Sequence, residues 1–313
     1  MDRRSFTVSP GIYVNGRELS KHTHTVKNIE PYPLRPPPKA RPLPDQKFKE
    51  PHYTRLLNLL SDPFASGKYG ELYRTDLTNA VRSELKVLLI GEDSYVKLPP
   101  HGTKVAIKIQ NADERVPLDH QVHEWHLETT AHHDLQSLDC VPTLYGAARV
   151  GDGYITVMEY IEGETLFRTW ISDKVYKQAE ACMVNLWLAG YVHGDAHSNN
   201  MLVTTTKQGS VHVYIVDFGM AVQMPSTIRR AVKRAIASGH DPIAVYDTVI
   251  QPWIDRYRSS QGYTYVNPNG KALKIYRAEA KQVAARELHK RSQRSNASTG
   301  TALNHGIQRH VAG

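Results

Sequence analysis

The sequence predicts an α+β fold in two lobes: a strand-rich first part, then a helix-rich second part carrying one hairpin. Three observations support this. TKVAIKIQ and YITVMEYIEG have the short, apolar, period-two character of strands and fall in the first half. SDKVYKQAEACMVNLWLAG places apolar residues at helical spacing and opens the second half. MLVTTTKQGSVHVYIVDFG reads as strand, polar turn at Gly209, strand. A length of 313 residues allows two lobes, and 40% apolar residues supply a core.

Taken in order, residues 1–53 read as an N-terminal arm. Its end, PYPLRPPPKARPLPDQKFKEP, is too rich in proline for a regular helix or inner strand and should run extended. PPPKARPLP has the composition of a ligand for a proline-reading domain, although a linker or surface arm is the commoner fate. The globular part begins near residue 54 with YTRLLNLL, a short helix, and the first lobe spans 54–160. SGKYGELYR gives a glycine turn and a strand, and KVLLIG a short apolar strand. In TKVAIKIQ, Val105, Ile107 and Ile109 point one way, Ala106 and Lys108 the other. DHQVHEWHLETTAHHDL reads as a helix with Leu127, Ala131 and Leu135 near one face. The second lobe spans 161–290. In its first helix Ser172 is the N-cap, Gly190 the stop, and Val175, Ala179, Cys182 and Leu186 share a face. Later segments are mostly helical, with breaks at SGHDP and VNPNGK, and 291–313 form a basic, polar tail.

Composition excludes several classes. No window approaches the ~18 apolar residues of a membrane-spanning helix, and the N-terminus lacks the apolar stretch of a secretory signal. Cys140 and Cys182 are too few for a disulfide framework, so an intracellular, reducing setting, cytoplasmic or nuclear, is expected. The net charge is +8, with many basic residues in KALKIYRAEAKQVAARELHKRSQR. Such a segment suits an acidic partner, although a solvated helix is the plainer reading. Only Tyr276 interleaves those charges, so nucleic acid is not indicated.

The chemistry concentrates in HGDAHSNNML, residues 193–202, and in DFG at Asp217. Two readings compete. In one, His193, Asp195 and His197 alternate along an extended chain and hold a metal for hydrolysis. In the other, the loop transfers a phosphoryl group, which requires divalent cations near the phosphates and a carboxylate that orients the attacking hydroxyl. Asn200 and Asp217 supply hard oxygen ligands suited to Mg²⁺, and Asp195 is left to receive the hydroxyl. Lys108, on a strand among apolar neighbours, needs an anionic partner. Small Ala106 beside it leaves room for a flat ring. Gly67 and Gly70 let backbone N–H groups approach a phosphate. Glu124 is the candidate partner for Lys108, with Glu128 its rival. The histidines at 120, 123, 126, 132 and 133 do not put three on one face and read as mostly solvated.

From SGKYGELY to DFG, the order and spacing of five pieces resemble the protein-kinase superfamily. VAIK at Lys108 is similar to the third-strand lysine motif, VMEYIEG to the hinge, HGDAHSNN to the catalytic loop and DFG to the metal motif. The resemblance implies ATP and Mg²⁺, with Mn²⁺ as an alternative ion. It implies Met158 as gatekeeper, Glu159 to Ile161 presenting backbone to adenine, and Ser or Thr of a protein as acceptor. The chain also departs from the family. Ala65 replaces the first loop glycine, and residues 75–101 must form an insertion before Lys108. Gly194 stands where many protein kinases carry arginine, and His197 where they usually carry lysine. No A-P-E follows DFG, which implies a reduced second lobe. HGDAH is similar to aminoglycoside phosphotransferase-type kinases, so a small-molecule acceptor is the alternative, and a noncatalytic scaffold a second one. The metal-hydrolase reading leaves VAIK, VMEYIEG and DFG unexplained.

Overall fold

The computed structural model describes residues 13–14, 17–18, 46–67, 70–90, 95–113, 116, 118–151, 153–260 and 272–290. Two compact units divide the chain, Met1–Pro36 and Pro37–Gly313. In the first, β1 (Tyr13–Val14) pairs antiparallel with β2 (Arg17–Glu18). The second unit carries all the remaining elements.

Helix α1 (Gln46–Leu59) opens this unit and contains Pro51. The extended run expected up to residue 51 is thereby corrected at its end. Proline removes one helical hydrogen bond but fixes φ at a helical value, and Leu56, fully buried, anchors the helix. Strands β3 (Ala65–Gly67) and β4 (Gly70–Asp76) follow as an antiparallel pair, and Lys68 and Tyr69 lie outside the described residues. Gly70 has φ 125°, and a Cβ there would lie 2.3 Å from the Ile109 carbonyl oxygen of the neighbouring strand. Gly70→Ala is therefore expected to cost about 1–3 kcal/mol, read as a lower urea midpoint at unchanged slope.

Helix α2 (Asn79–Leu88) is capped by Thr78, whose side chain accepts a hydrogen bond from the Val81 N–H. Its buried Val81, Leu85 and Leu88 recur at helical spacing. The strand expected for KVLLIG is thus wrong: Lys86, Val87 and Leu88 finish α2 and Leu89 is its C-cap. A four-residue apolar run is too short to fix its own period, and the amphipathic stretch before it decides. Strand β5 (Tyr95–Val96) then pairs with β7 (Leu144–Val150). With β6 (Lys104–Gln110) and β8 (Gly153–Glu159), the sheet has the order β3-β4-β6-β8-β7-β5.

The alternation along β6 divides the sheet. Val105, Ile107 and Ile109 join Leu56 of α1 and Val81, Leu85, Leu88 and Leu89 in one core. Ala106 and Lys108 face the other way. On that side lies α3 (Leu118–Leu135). Its inner face is Val122, Trp125, Glu128, Ala131, His132 and Leu135, all buried. Leu127, expected on this face, is 38% exposed.

The second lobe begins with β9 (Glu164–Thr165) and α4 (Asp173–Ala189). Helix α4 runs from the Ser172 cap to Gly190, which has φ 104°. Val175, Ala179, Cys182 and Leu186 are buried as the spacing implied, together with Tyr176, Met183 and Trp187. Strand β10 (Tyr191–Val192) leads into the loop containing Asp195. The hairpin of β11 (Met201–Thr205) and β12 (Val211–Ile215) forms in register Met201↔Ile215 to Thr205↔Val211. Beyond Asp217 come β13 (Val222–Gln223), α5 (Ser226–Ala237) and α6 (Pro242–Val245). A π-helical turn (Tyr246–Ile250) leads into α7 (Gln251–Ser260). The break at SGHDP falls between α5 and α6. VNPNGK and residues 291–313 lie outside the described residues.

A last helix, α8, covers 272–290. Its Ala272, Leu273, Tyr276 and Ala280 are buried in the second-lobe core. Arg277 bonds to the Tyr176 hydroxyl at 2.7 Å, to Glu180 at 2.9 Å and to Asp241 at 3.0 Å. Part of the basic C-terminal segment is therefore structural: Arg277 spends its charge on α4 and on the start of α6. Among the described residues, no helix is long and apolar enough to cross a membrane. The result is a bilobal α+β fold, a six-stranded sheet lobe and a helical lobe with one hairpin.

Candidate active site

The residues singled out on β6, in the 193–200 loop and at Asp217 come together between the lobes. Lys108 is buried, and its Nζ donates to Glu128 Oε1 at 2.6 Å and to Asp217 Oδ1 at 3.3 Å. The partner on α3 is Glu128, not Glu124. The two differ by about one turn, and Glu128 is the one on the buried stripe with His132. Burial opposes the charge on Lys108, but the two carboxylates outweigh it and raise its pKa, so the amine stays protonated. Burial also opposes charge on Asp217, and the Lys108 cation reverses this and lowers its pKa. Asp217 has φ 65°, a left-handed conformation that non-glycine residues rarely adopt. The Lys108 contact helps hold this strained residue in place.

The catalytic-type loop is tied to the DFG segment by backbone. The Val216 N–H donates to the Asn200 carbonyl at 2.9 Å. His193 is fully buried and fixed in one tautomer. Its Nε2 lies 2.9 Å from the Val216 carbonyl and must donate, while its Nδ1 accepts from the Asp195 N–H at 3.2 Å. Burial holds its pKa down, so it is a neutral strut. Both ring nitrogens are used, and the His193–Asp195–His197 metal triad does not assemble. Among the described residues, no group of three or more His, Cys, Asp and Glu side chains is placed to hold a metal ion.

A kinase-type Mg²⁺ needs less from the protein: a few oxygen ligands, with phosphate and water completing the shell. The residues fit this. Asn200 Nδ2 donates to the Asp195 carbonyl at 2.9 Å, which fixes which end of the amide is Oδ1. Asn200 Oδ1 and the Asp217 carboxylate are the groups that would hold the ion.

Asp195 presents its two oxygens differently. Oδ2 lies 3.4 Å from Asn200 Nδ2 and 3.5 Å from His197 Nε2. Oδ1 is buried with no hydrogen-bond partner. An orphaned carboxylate oxygen in a protein interior is costly and calls for an explanation.

On the sheet side, Ala106 and Met158 are direct cross-strand partners, so the small residue and the expected gatekeeper sit side by side. Some hinge backbone is already committed. The Glu159 N–H donates to the Thr143 carbonyl at 2.9 Å, and the Ile161 carbonyl accepts from the Gly163 N–H at 3.0 Å. Gly67 and Gly70 face each other as the closing pair of the β3–β4 turn.

The sequence reading missed three supports. Phe218 of DFG is buried between two imidazoles, with ring centroids 5.3 Å from His132 and 5.2 Å from His193. His132, expected in solvent, donates from Nε2 to the Pro142 carbonyl at 2.7 Å. It follows Glu128 by four residues, so choosing Glu128 as the lysine partner also selects His132. Tyr276 of α8 donates to the Ala196 carbonyl at 3.4 Å, a contact across 80 residues with no local sequence signal.

Burial pushes the His132 pKa down to about 4. The unfolded chain therefore takes up a proton near pH 6.5 that the folded chain refuses, and stability falls as pH drops toward 4. His132→Gln keeps a donor for Pro142 but cannot titrate. It is expected to remove about 2 kcal/mol of the stability lost between pH 7.5 and pH 5, measured by urea unfolding at both.

A sheet lobe carrying a lysine–glutamate pair, joined to a helical lobe with an Asp–Asn loop and a DFG turn, is a protein-kinase-like architecture of a compact, atypical kind. Comparison narrows this: residues 141–241 match the ABC1 atypical kinase-like domain. The matched span contains α4, the 193–200 loop, the β11–β12 hairpin, Asp217 and α5, while Lys108 and Glu128 precede it. No curated protein matches the chain.

Proposed function

We propose that the protein is an ATP-dependent phosphotransferase that delivers the γ-phosphoryl group to a hydroxyl, with Ser or Thr of a protein as the acceptor class. The observation that carries this reading is the convergence of the Lys108–Glu128–Asp217 cluster with the Asp195–Asn200 loop, joined by the Val216–Asn200 backbone bond and braced by a neutral His193. Lys108 binds the α- and β-phosphates and Glu128 holds it in reach. Asn200 Oδ1 and Asp217 hold Mg²⁺, which when bound offsets the charge of the phosphate oxygens. Backbone from Glu159 to Ile161, beside Met158 and Ala106, takes adenine. The Asp195 carboxylate orients the hydroxyl and accepts its proton late. The new bond joins that oxygen to the γ-phosphorus, the bond to the bridging oxygen breaks, and ADP leaves.

A small-molecule acceptor is the second reading. It is favoured by the short segment 220–225 between DFG and α5, which contains only the two-residue strand β13 and leaves little room for a peptide platform. The test is transfer of label from γ-labelled ATP with Mg²⁺ to the protein itself and to basic and acidic protein substrates. Label on protein supports the first reading. Label recovered only on a hydroxyl-bearing small molecule supports the second. Mg-dependent ATP binding with no transfer to either would mark a noncatalytic scaffold.

A further inference from the structure

The chain has two cysteines, Cys140 and Cys182, and the fold brings them together as free thiols. Cys140 lies in the turn between α3 and β7, and Cys182 on the buried stripe of α4. Each sulfur approaches the other residue's backbone. Cys140 Sγ is 3.9 Å from the Cys182 carbonyl oxygen, and Cys182 Sγ is 3.8 Å from that of Cys140. The contact spans 42 residues and joins the connection out of α3 to the main helix of the second lobe. The two thiols also hydrogen-bond each other. The Cys182 thiol lowers the Cys140 pKa, whereas burial raises that of Cys182. Cys140 is the more accessible, 6% exposed against 1%, and its turn contains the exposed Ser137 and Asp139.

From this pairing we infer that Cys140 and Cys182 are a redox modification site: a peroxide converts them to a reversible disulfide that staples the α3–β7 turn to α4. Local opening of the turn admits the oxidant. The Cys140 thiolate attacks one oxygen of hydrogen peroxide. The O–O bond breaks, the sulfur becomes a sulfenic acid, and the departing hydroxide takes the thiol proton to leave as water. The Cys182 sulfur then attacks the sulfenic sulfur, the S–S bond forms, and a second water carries off the Cys182 proton. Two electrons pass from the sulfurs to the peroxide, and a dithiol reverses the step by exchange. Transient disulfides of this kind suit a reducing compartment. The effect of the staple follows from what the next residues hold. The Cys140 carbonyl accepts the Ile215 N–H at 2.8 Å, two residues before Asp217. The Thr143 carbonyl accepts the Glu159 N–H at 2.9 Å, and the Thr143 N–H and hydroxyl both donate to the Glu159 carboxylate at 3.1 Å. Residues 140–143 thus join α4, β12 and the end of β8, and a covalent bond at Cys140 restricts opening of that joint. The inference is independent of the phosphotransfer reading.

The test treats the full chain with hydrogen peroxide in native buffer. Peptide mapping and thiol titration in denaturant follow the sulfurs before and after dithiothreitol, and near-ultraviolet circular dichroism follows the fold. The expected product has no titratable thiol and a Cys140–Cys182 cross-linked peptide lighter by two hydrogens than its parts. Dithiothreitol should restore both thiols. The cross-linked protein should unfold about 5 °C or more above the reduced one. Amide exchange in peptides containing Ile215 and Glu159 should slow by ~5-fold or more. In Cys140→Ser, the remaining Cys182 should oxidise ~10-fold more slowly than Cys140 does in wild type, because burial keeps it a thiol. Survival of both thiols would overturn the inference, as would sulfinic acid without a cross-link or a disulfide found only between two chains. So would a cross-link that forms only after the circular dichroism signal is lost, unchanged exchange at Ile215 and Glu159, or undiminished oxidation of Cys182 in the variant. If Cys140→Ser fails to fold, the mapping and exchange of wild type decide alone.

Discussion

Replacing Asp195 by Asn is expected to abolish phosphoryl transfer while leaving Mg-dependent ATP binding nearly intact. The variant changes one atom and one charge, and the surroundings decide where the new N–H₂ goes. Asn200 Nδ2 donates to Oδ2, so the amide presents its oxygen there. The N–H₂ then occupies the Oδ1 position. Loss of the proton acceptor alone is worth ~10²–10⁴-fold in rate. ATP contacts are assigned to Lys108, Asn200, Asp217 and the hinge, and nucleotide affinity should move less than about threefold. Single-turnover transfer and a nucleotide titration by thermal shift separate the two quantities. Full activity in this variant would refute the phosphotransfer mechanism.

The second large effect is expected at Glu128. Glu128→Gln leaves the buried Lys108 cation with Asp217 as its charged partner, and that contact is the longer one, 3.3 Å against 2.6 Å. Removing one member of a buried ion pair typically costs ~3–5 kcal/mol, because the remaining charge is out of water. Retention of Asp217 puts the expected loss near the lower end, about 3 kcal/mol, a visible drop in the urea midpoint. ATP affinity should fall with it, because the lysine loses the group that sets its reach. Glu124→Gln should stay within about 1 kcal/mol of wild type and keep nucleotide binding. The two substitutions make the same chemical change about one helical turn apart, so the contrast tests the lysine partner directly.

That pair also shows what could be read from the sequence and what could not. The strand alternation of β6 was legible because apolar residues mark one face and Lys108 stands out on the other. Helix α4 was legible from its serine cap, its glycine stop and a purely apolar stripe. The nearness of the 193–200 loop to Asp217 was legible from polar residues set between strands, and the roles proposed for Asp195, Asn200 and Asp217 rest on the resemblance of the motif order to kinases. Helix α3 was harder because its buried face is partly polar. Glu128 and His132 lie inside while Leu127 is left largely outside, so a search for the apolar stripe picks the wrong register. The run Val87–Ile90 at the end of α2 carries no period of its own and by composition alone reads as a strand. Pro51 argued against a helix that tertiary burial of Leu56 nonetheless secures. The Tyr276–Ala196 contact was invisible because it depends only on how α8 packs.

That last contact has a consequence for when the site becomes complete. The loop holding Asp195 is translated long before Tyr276, which lies 80 residues beyond Ala196. During synthesis the loop, the hairpin and DFG emerge from the ribosome before the helix that props the Ala196 carbonyl and ties α4 to Asp241 through Arg277. A chain released or cut before residue 272 would contain every residue assigned to the chemistry and still lack this brace. Late arrival of α8 thus acts as a built-in order of assembly, in which the 193–200 loop is finished last.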